Sequence, residues 1–325
     1  MEKFIIRRLF FSIITFLGIT VFVYILSSMA TGSPLDALMA EPGMTAEEAV
    51  RRAKQLGLNQ PAYVQYWHWL CALLKGDLGY SYRTYQKVSV MIVERIGPSL
   101  LLTFTSVVFA YAIAIPIGIL SATKPYSIRD YSSTGFAFLA TATPSFFVGM
   151  LFIVLFSIKL KWLPMGGMYD SGGSHEILSL IRHLILPSAV LALQQIGSTM
   201  RYVRGSMLEI LGEDYVRTAR AKGLKEKTVI VIHAFRNALI PVVTNLGLSI
   251  PFLIGGAVVT EQVFSWPGLG TLLVLSISFR DYPVIMGITV VISIAVLLGN
   301  IFVDLVYGFL DPRISNQRME RRKSL

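Results

Sequence analysis

Eight runs of 18 or more residues without a single Asp, Glu, Lys or Arg divide this chain of 325 residues: 9–35, 55–74, 96–123, 131–158, 183–200, 237–260, 262–279 and 282–303. A charge at the centre of a bilayer costs about 2.5–3.5 kcal/mol on insertion scales, whereas a water-soluble core has no reason to exclude charge over such lengths. The runs therefore predict an integral membrane protein built of helices. Composition agrees, with 54% apolar and 15% charged residues and a mean hydropathy of +0.63. An ordinary cytosolic enzyme, a disordered chain and a disulfide-stapled secreted domain are excluded. Cys71 is the only cysteine, so no intrachain disulfide and no cysteine-based metal site is available.

Two of the eight runs fail as spans. Run 55–74 holds Gln55, Asn59, Gln60, Gln65 and His68, and its Tyr63, Trp67, Leu70 and Leu74 repeat at helical spacing. That pattern predicts an amphipathic helix starting at Pro61. Run 262–279 is interrupted by Pro267-Gly268-Leu269-Gly270, which leaves too little to cross a core about 30 Å thick. The expected fold is thus all-α with six transmembrane helices, near 9–30, 99–121, 134–158, 183–201, 237–259 and 283–305. The first could be read as a signal peptide, but the apolar run is too long for one.

Basic residues set the orientation. Lys3, Arg7 and Arg8 precede the first span, and Arg313, Arg318, Arg321, Arg322 and Lys323 follow the last. The 201–236 loop holds Arg201, Arg204, Arg217, Arg220, Lys222, Lys225, Lys227 and Arg236. With six spans these segments share one side, so both termini are expected in the cytoplasm. The net charge of +10 then reflects positive-inside bias, or contact with anionic lipid, and calls for no nucleic acid. The expected division is a first segment 1–30, an extracytoplasmic helical loop 31–98, a transmembrane core 99–310 and a basic tail 311–325. In the long loop, Thr45-Ala46-Glu47-Glu48 fits a capping box before a helix at 49–56. That loop serves either as a docking cap for an external protein or as a lid over the span ends.

None of the six predicted spans contains Asp, Glu, Lys or Arg in its core. Proton-driven transporters generally need such groups as relays. The interior polar residues are neutral, and Gln194, Gln195, Ser198, Thr244, Asn245 and Ser249 are candidates for lining a hydrated path. The alternative for each is ordinary hydrogen bonding between helices. There is no G-x-x-x-x-G-K-[ST] phosphate loop, no H-E-x-x-H and no G-x-S-x-G. The four histidines are scattered, so no metal site, cofactor or catalytic residue is expected in this chain. An intramembrane hydrolase would have only His183 as a base.

The most informative cytoplasmic stretch is Glu213-Asp214-Tyr215-Val216-Arg217-Thr218-Ala219-Arg220-Ala221-Lys222-Gly223-Leu224. Acids in its first turn and Arg220 and Lys222 in its last match the helix dipole, and Gly223 fits the left-handed position beyond a helix end. Such a helix is too short to be stable alone and needs a surface to pack on. The small side chains of Thr218, Ala219 and Ala221 would admit a close approach.

This stretch, followed by His233-Ala234-Phe235-Arg236-Asn237-Ala238-Leu239-Ile240-Pro241, resembles the EAA loop of ABC-importer permeases, nearest their dipeptide/oligopeptide/nickel branch. Phe4-Ile5-Ile6-Arg7-Arg8-Leu9, Leu56-Gly57-Leu58-Asn59-Gln60-Pro61, Gly76-Asp77-Leu78-Gly79 and Glu261-Gln262-Val263-Phe264 extend the resemblance along the chain. In the general E-A-A-x-x-x-G wording the first three positions hold Arg217, Thr218 and Ala219. The resemblance implies a non-catalytic permease subunit in a prokaryotic plasma membrane. Its partners would be a homologous second permease, two cytoplasmic ATPase subunits that hold the ATP and magnesium, and an extracytoplasmic substrate-binding protein. The 213–224 helix would couple to an ATPase, so that Gly223→Pro or Ala219→Glu would abolish transport. The implied cargo is a di- or oligopeptide, with nickel or a nickel chelate as the alternative. A reading of another class is a stand-alone secondary transporter.

Overall fold

The computed structural model describes residues 2–29, 35, 39, 44–170, 176–239, 242, 247 and 257–310. The described elements are helices, and the only β-type pairing among them is an isolated bridge between Tyr80 and Lys87. Four helices are long and apolar enough to cross a membrane, and a bent pair makes a fifth crossing if it counts as one span. The chain divides into two compact units, residues 1–100 with 267–297 and residues 101–266 with 298–325.

The first unit opens with α1 (Glu2–Met29), the first predicted span. α2 (Ala46–Gln55) begins with the expected capping box: the Glu48 N–H donates to Thr45 Oγ1 at 3.3 Å and the Thr45 N–H to Glu48 Oε2 at 3.1 Å. The Thr45 N–H and the Thr45 hydroxyl, both donating to Glu48 Oε2, hold that carboxyl below its usual range. α3 (Ala62–Leu74) starts one residue after Pro61, which caps the helix instead of opening it. Of the apolar stripe, Tyr63, Trp67 and Leu74 are 75%, 62% and 81% exposed, and Leu70 is half-buried. Gln65 and Tyr66 turn inward instead, to α1.

The long helix α4 (Val88–Thr123) starts about ten residues before the predicted span. Its first turns join the first unit, where Val88 and Ile92 pack with Leu269 and Leu272 of α9 (Leu269–Ser278) and Val284 and Ile288 of α10 (Tyr282–Leu310). Gly287 permits this contact, because a Cβ there would lie 2.6 Å from Val88 Cγ1. Asp281 ties the unit together from the start of α10. Its buried carboxylate accepts from the Ser81 hydroxyl and from the Tyr82 N–H at 2.9 Å, and its carbonyl accepts the Ile285 N–H at 3.0 Å.

In the second unit the predicted single span 134–158 is two helices. α5 (Ile128–Ala142) and α6 (Ser145–Phe152) meet at 100°, and α6 continues as a π-helical segment, Ile153–Lys159. The cause is Pro144. It has no N–H to donate, and it forces Thr143 out of the helical region to φ −85°, ψ 127°. α7 (Ile177–Leu211) extends the predicted 183–201 span at both ends. It seats against α5 at Gly197, where a Cβ would lie 2.6 Å from the Ala137 carbonyl oxygen. Small residues at such a crossing let helices approach without a hydrophobic driving force. After α8 (Asp214–Ala221), a second π-helical segment, Val229–Phe235, leads into the predicted fifth span, most of which lies outside the described residues.

Candidate functional site

The expected cytoplasmic helix is α8, with Glu213 as N-cap and Lys222 as C-cap. Its end has the geometry predicted for Gly223, at φ +76°. The Gly223 N–H donates to the Arg220 carbonyl at 2.9 Å, and the Leu224 N–H reaches back to the Ala219 carbonyl at 3.4 Å. That pair of bonds is a Schellman motif, and it satisfies carbonyls the helix would leave open. The next turn is held by Arg220, whose Nη2 and Nε donate to Glu226 at 2.8 and 3.2 Å. The same contact holds the exposed Glu226 carboxyl below its usual range.

Two faces of α8 differ sharply. Val216 and Ala219 are buried with Val229, against Ile210 and Leu211 at the end of α7. Burying a valine side chain contributes about 1.5–3 kcal/mol, which a lone eight-residue helix lacks. Asp214, Tyr215, Arg217, Thr218, Arg220 and Ala221 remain exposed, as do Glu213, Lys222, Gly223 and Leu224 beside the helix. The Tyr215 hydroxyl still meets its own chain, accepting from Asn237 Nδ2 at 3.0 Å. Ala219 therefore serves internal packing, and the small outward residues are Thr218 and Ala221. Ala219→Glu would unseat the helix from its own chain and would not probe an outer surface.

A buried ion pair braces this end of the unit and was not foreseen from sequence. Arg204 on α7 donates to Asp130 on α5 through Nε at 2.6 Å and Nη2 at 2.8 Å. Asp130 is 2% exposed and also accepts from the Ser121 hydroxyl and the Tyr126 N–H. Two parallel charge-assisted bonds fix orientation as well as distance. The only advance signal was one acid in the short basic turn 122–133.

The path candidates separate. Gln195 is buried, and its Nε2 donates to Thr199 Oγ1 at 3.3 Å along α7. The Ser198 hydroxyl donates to the Gln195 carbonyl at 3.1 Å. Gln194 is half-buried. These two bonds stay within one helix. Thr244, Asn245 and Ser249 lie outside the described residues.

His183, the candidate base, sits beside Ser179 and Asp170. Its Nδ1 is 2.9 Å from the Ser179 carbonyl oxygen and its Nε2 is 3.9 Å from Asp170. The Ser179 hydroxyl donates to Asp170 at 2.9 Å, not to the ring. Among the described residues no group of three or more His, Cys, Asp or Glu could hold a metal ion.

Residues 114–316 match the family described as "Binding-protein-dependent transport system inner membrane component", and residues 1–103 match its N-terminal component. The oligopeptide transport system permease protein AppB of Bacillus subtilis is 44% identical, covering 97% of this chain and 99% of that protein. The dipeptide transport system permease protein DppB of Escherichia coli K12 is 38% identical over 98% of this chain and all of its own length. The glutathione transport system permease protein GsiC of Salmonella choleraesuis is 40% identical over 97% of this chain. Among solved structures, the inward-facing MetNI methionine ABC transporter gives a TM-score of 0.51 at 16% identity. It covers 67% of this chain and 97% of the matched chain, a likeness of fold.

Proposed function

The chain belongs to the binding-protein-dependent transport inner-membrane family, and from that premise we propose that it is the permease subunit of an ATP-driven peptide importer in a bacterial plasma membrane. It forms half of the translocation path, and a homologous permease forms the other half. Two cytoplasmic ATPase subunits hold ATP and magnesium, and an extracytoplasmic binding protein delivers cargo. The chain itself catalyses nothing. Its six spans are α1, α4, the bent pair α5–α6, α7, the 237–259 segment and α10, with both termini inside. Relatives named for oligopeptides, dipeptides and glutathione favour peptide cargo over nickel.

The two-faced build of α8 carries the coupling part of this reading. Its buried face grips the end of α7 and the start of the π-helical segment that leads to the next span. Its exposed face, with Thr218 and Ala221 small, receives the ATPase. A push on that face is passed to two spans at once. The fixed geometry of the Schellman end keeps the push from being lost in a loose turn.

The test is a mild-detergent pull-down of the chain, with partners identified by mass and ATPase activity assayed. Two ATPase subunits and a second permease should copurify, and hydrolysis should rise when binding protein and peptide are added. Thr218→Trp and Ala221→Trp should cut peptide uptake at least tenfold while chain abundance in the membrane is unchanged. A chain that elutes alone without hydrolysis, or normal uptake in both variants, overturns the reading.

A further inference from the structure

We propose that α3 lies in the outer leaflet of the bilayer, with Tyr63, Trp67 and Leu74 against lipid, so that the loop between the first two spans is anchored in the membrane. The occupant of this face is lipid of the outer leaflet. The inference rests on α1 being a span and not on the cargo or ATPase assignments.

The sequence of α3, AYVQYWHWLCALL, contains no charged residue. Its positions 63, 67 and 74 share one helical face and are 75%, 62% and 81% exposed. Large aromatic and aliphatic side chains left this bare on one face mark a surface that something covers. The opposite side says where the helix lies. The Tyr66 and Thr20 hydroxyls are 3.0 Å apart, and the Tyr24 hydroxyl donates to Gln65 Oε1 at 3.2 Å. The Tyr24 and Tyr66 rings are 5.5 Å apart.

Those α1 contacts are not at its end. Tyr24 and Thr20 precede Met29 by roughly 8 and 14 Å at 1.5 Å per residue. They fall inside the apolar stretch Ile6–Met29, in which 12% of the most hydrophobic window is buried. Phe22 and Leu26, in the same stretch, are exposed. A helix fixed to α1 at that depth shares its surroundings, so the lipid-facing surface of the span continues onto α3. Tyr and Trp suit such a level, since each joins an apolar ring to a polar tip. Charge returns immediately beyond the helix at Lys75 and Asp77, while α2 carries Glu47, Glu48, Arg51, Arg52 and Lys54. The loop is thus divided into a water-facing helix and a membrane-facing one.

The experiment uses the whole transporter in liposomes of phosphatidylethanolamine and phosphatidylglycerol. In a Cys71→Ser background, Tyr63→Cys, Trp67→Cys and Leu74→Cys are spin-labelled, with Glu47→Cys on α2 as the water reference. The three α3 labels should meet dissolved oxygen severalfold more, relative to a water-soluble nickel chelate, than the α2 label does. Equal access of the chelate to both helices overturns the proposal. So does protection that appears only when binding protein is added, which would make the face a protein dock. The chain without cysteine changes supplies a second readout. Brominated phosphatidylcholine should quench tryptophan emission less in Trp67→Phe than in wild type, and unchanged quenching overturns the proposal.

Discussion

Gly223 shows how much one residue can decide. At φ +76° a Cβ would meet nothing within 4 Å, so the cost of a side chain is torsional, not steric. The left-handed region costs a β-carbon about 1–2 kcal/mol, and asparagine pays less of it. Gly223→Ala should lower peptide uptake severalfold at constant abundance, and Gly223→Asn should retain more; equal uptake in both would separate the turn from coupling. This position was legible in the sequence because the signal is local: acids first, bases last, then glycine. The Asp130–Arg204 pair was not, because its partners are 74 residues apart and each looks like one more loop charge. Removing one partner of a buried pair typically costs about 3–5 kcal/mol, somewhat less here because Arg204 is partly exposed. Asp130→Asn and Arg204→Gln should each lower the apparent melting temperature of the purified complex. The double variant should lose less than the sum, as a thermal shift series would show.

Among elements, the charge-free runs located the apolar centres of helices but not their ends. α4 reaches back to Val88 past two charged residues, exposed Glu94 and half-buried Arg95. α7 runs to Leu211 with Arg204 neutralised in place. The bend at Thr143-Pro144 was hidden in a run whose hydropathy looks continuous. Proline was visible there, but whether it kinks a helix or ends it depends on what replaces the lost bonds. The α5–α7 crossing gives a sharp prediction. Gly197→Val would drive a side chain into the Ala137 backbone at a crossing with no room to shift. Overpacking costs about 1–3 kcal/mol or more, so the variant should yield less monodisperse protein on gel filtration than the equally conservative Gly205→Val, whose Cβ position is open.

At the scale of the molecule, a linear reading cut the chain at residues 30 and 98, whereas the compact units join residues 1–100 to 267–297. Contacts such as Asp281 to Ser81 bridge 200 positions and have no local signature. Burial pushes the Asp281 carboxyl upward, against the bonds it accepts. The folded chain therefore keeps that proton to a higher pH than the unfolded chain does. This contribution to stability is greatest below the ordinary carboxylate pKa of about 4 and falls as pH rises through the raised value. The apparent melting temperature of wild type should decline over that range more steeply than that of Asp281→Asn; parallel curves would refute it. The π-helical segment 229–235 carries a different kind of consequence. Val229 belongs to the cluster under α8, while Ala234, Ala238 and Val242 pack with Val203 and Met207. An α-helix turns residues five apart away from each other, whereas i→i+5 bonding brings them into line. The segment thus lets one strand of chain serve two cores through a single surplus residue. Length matters here as much as composition: deleting one residue would cost one core its anchor.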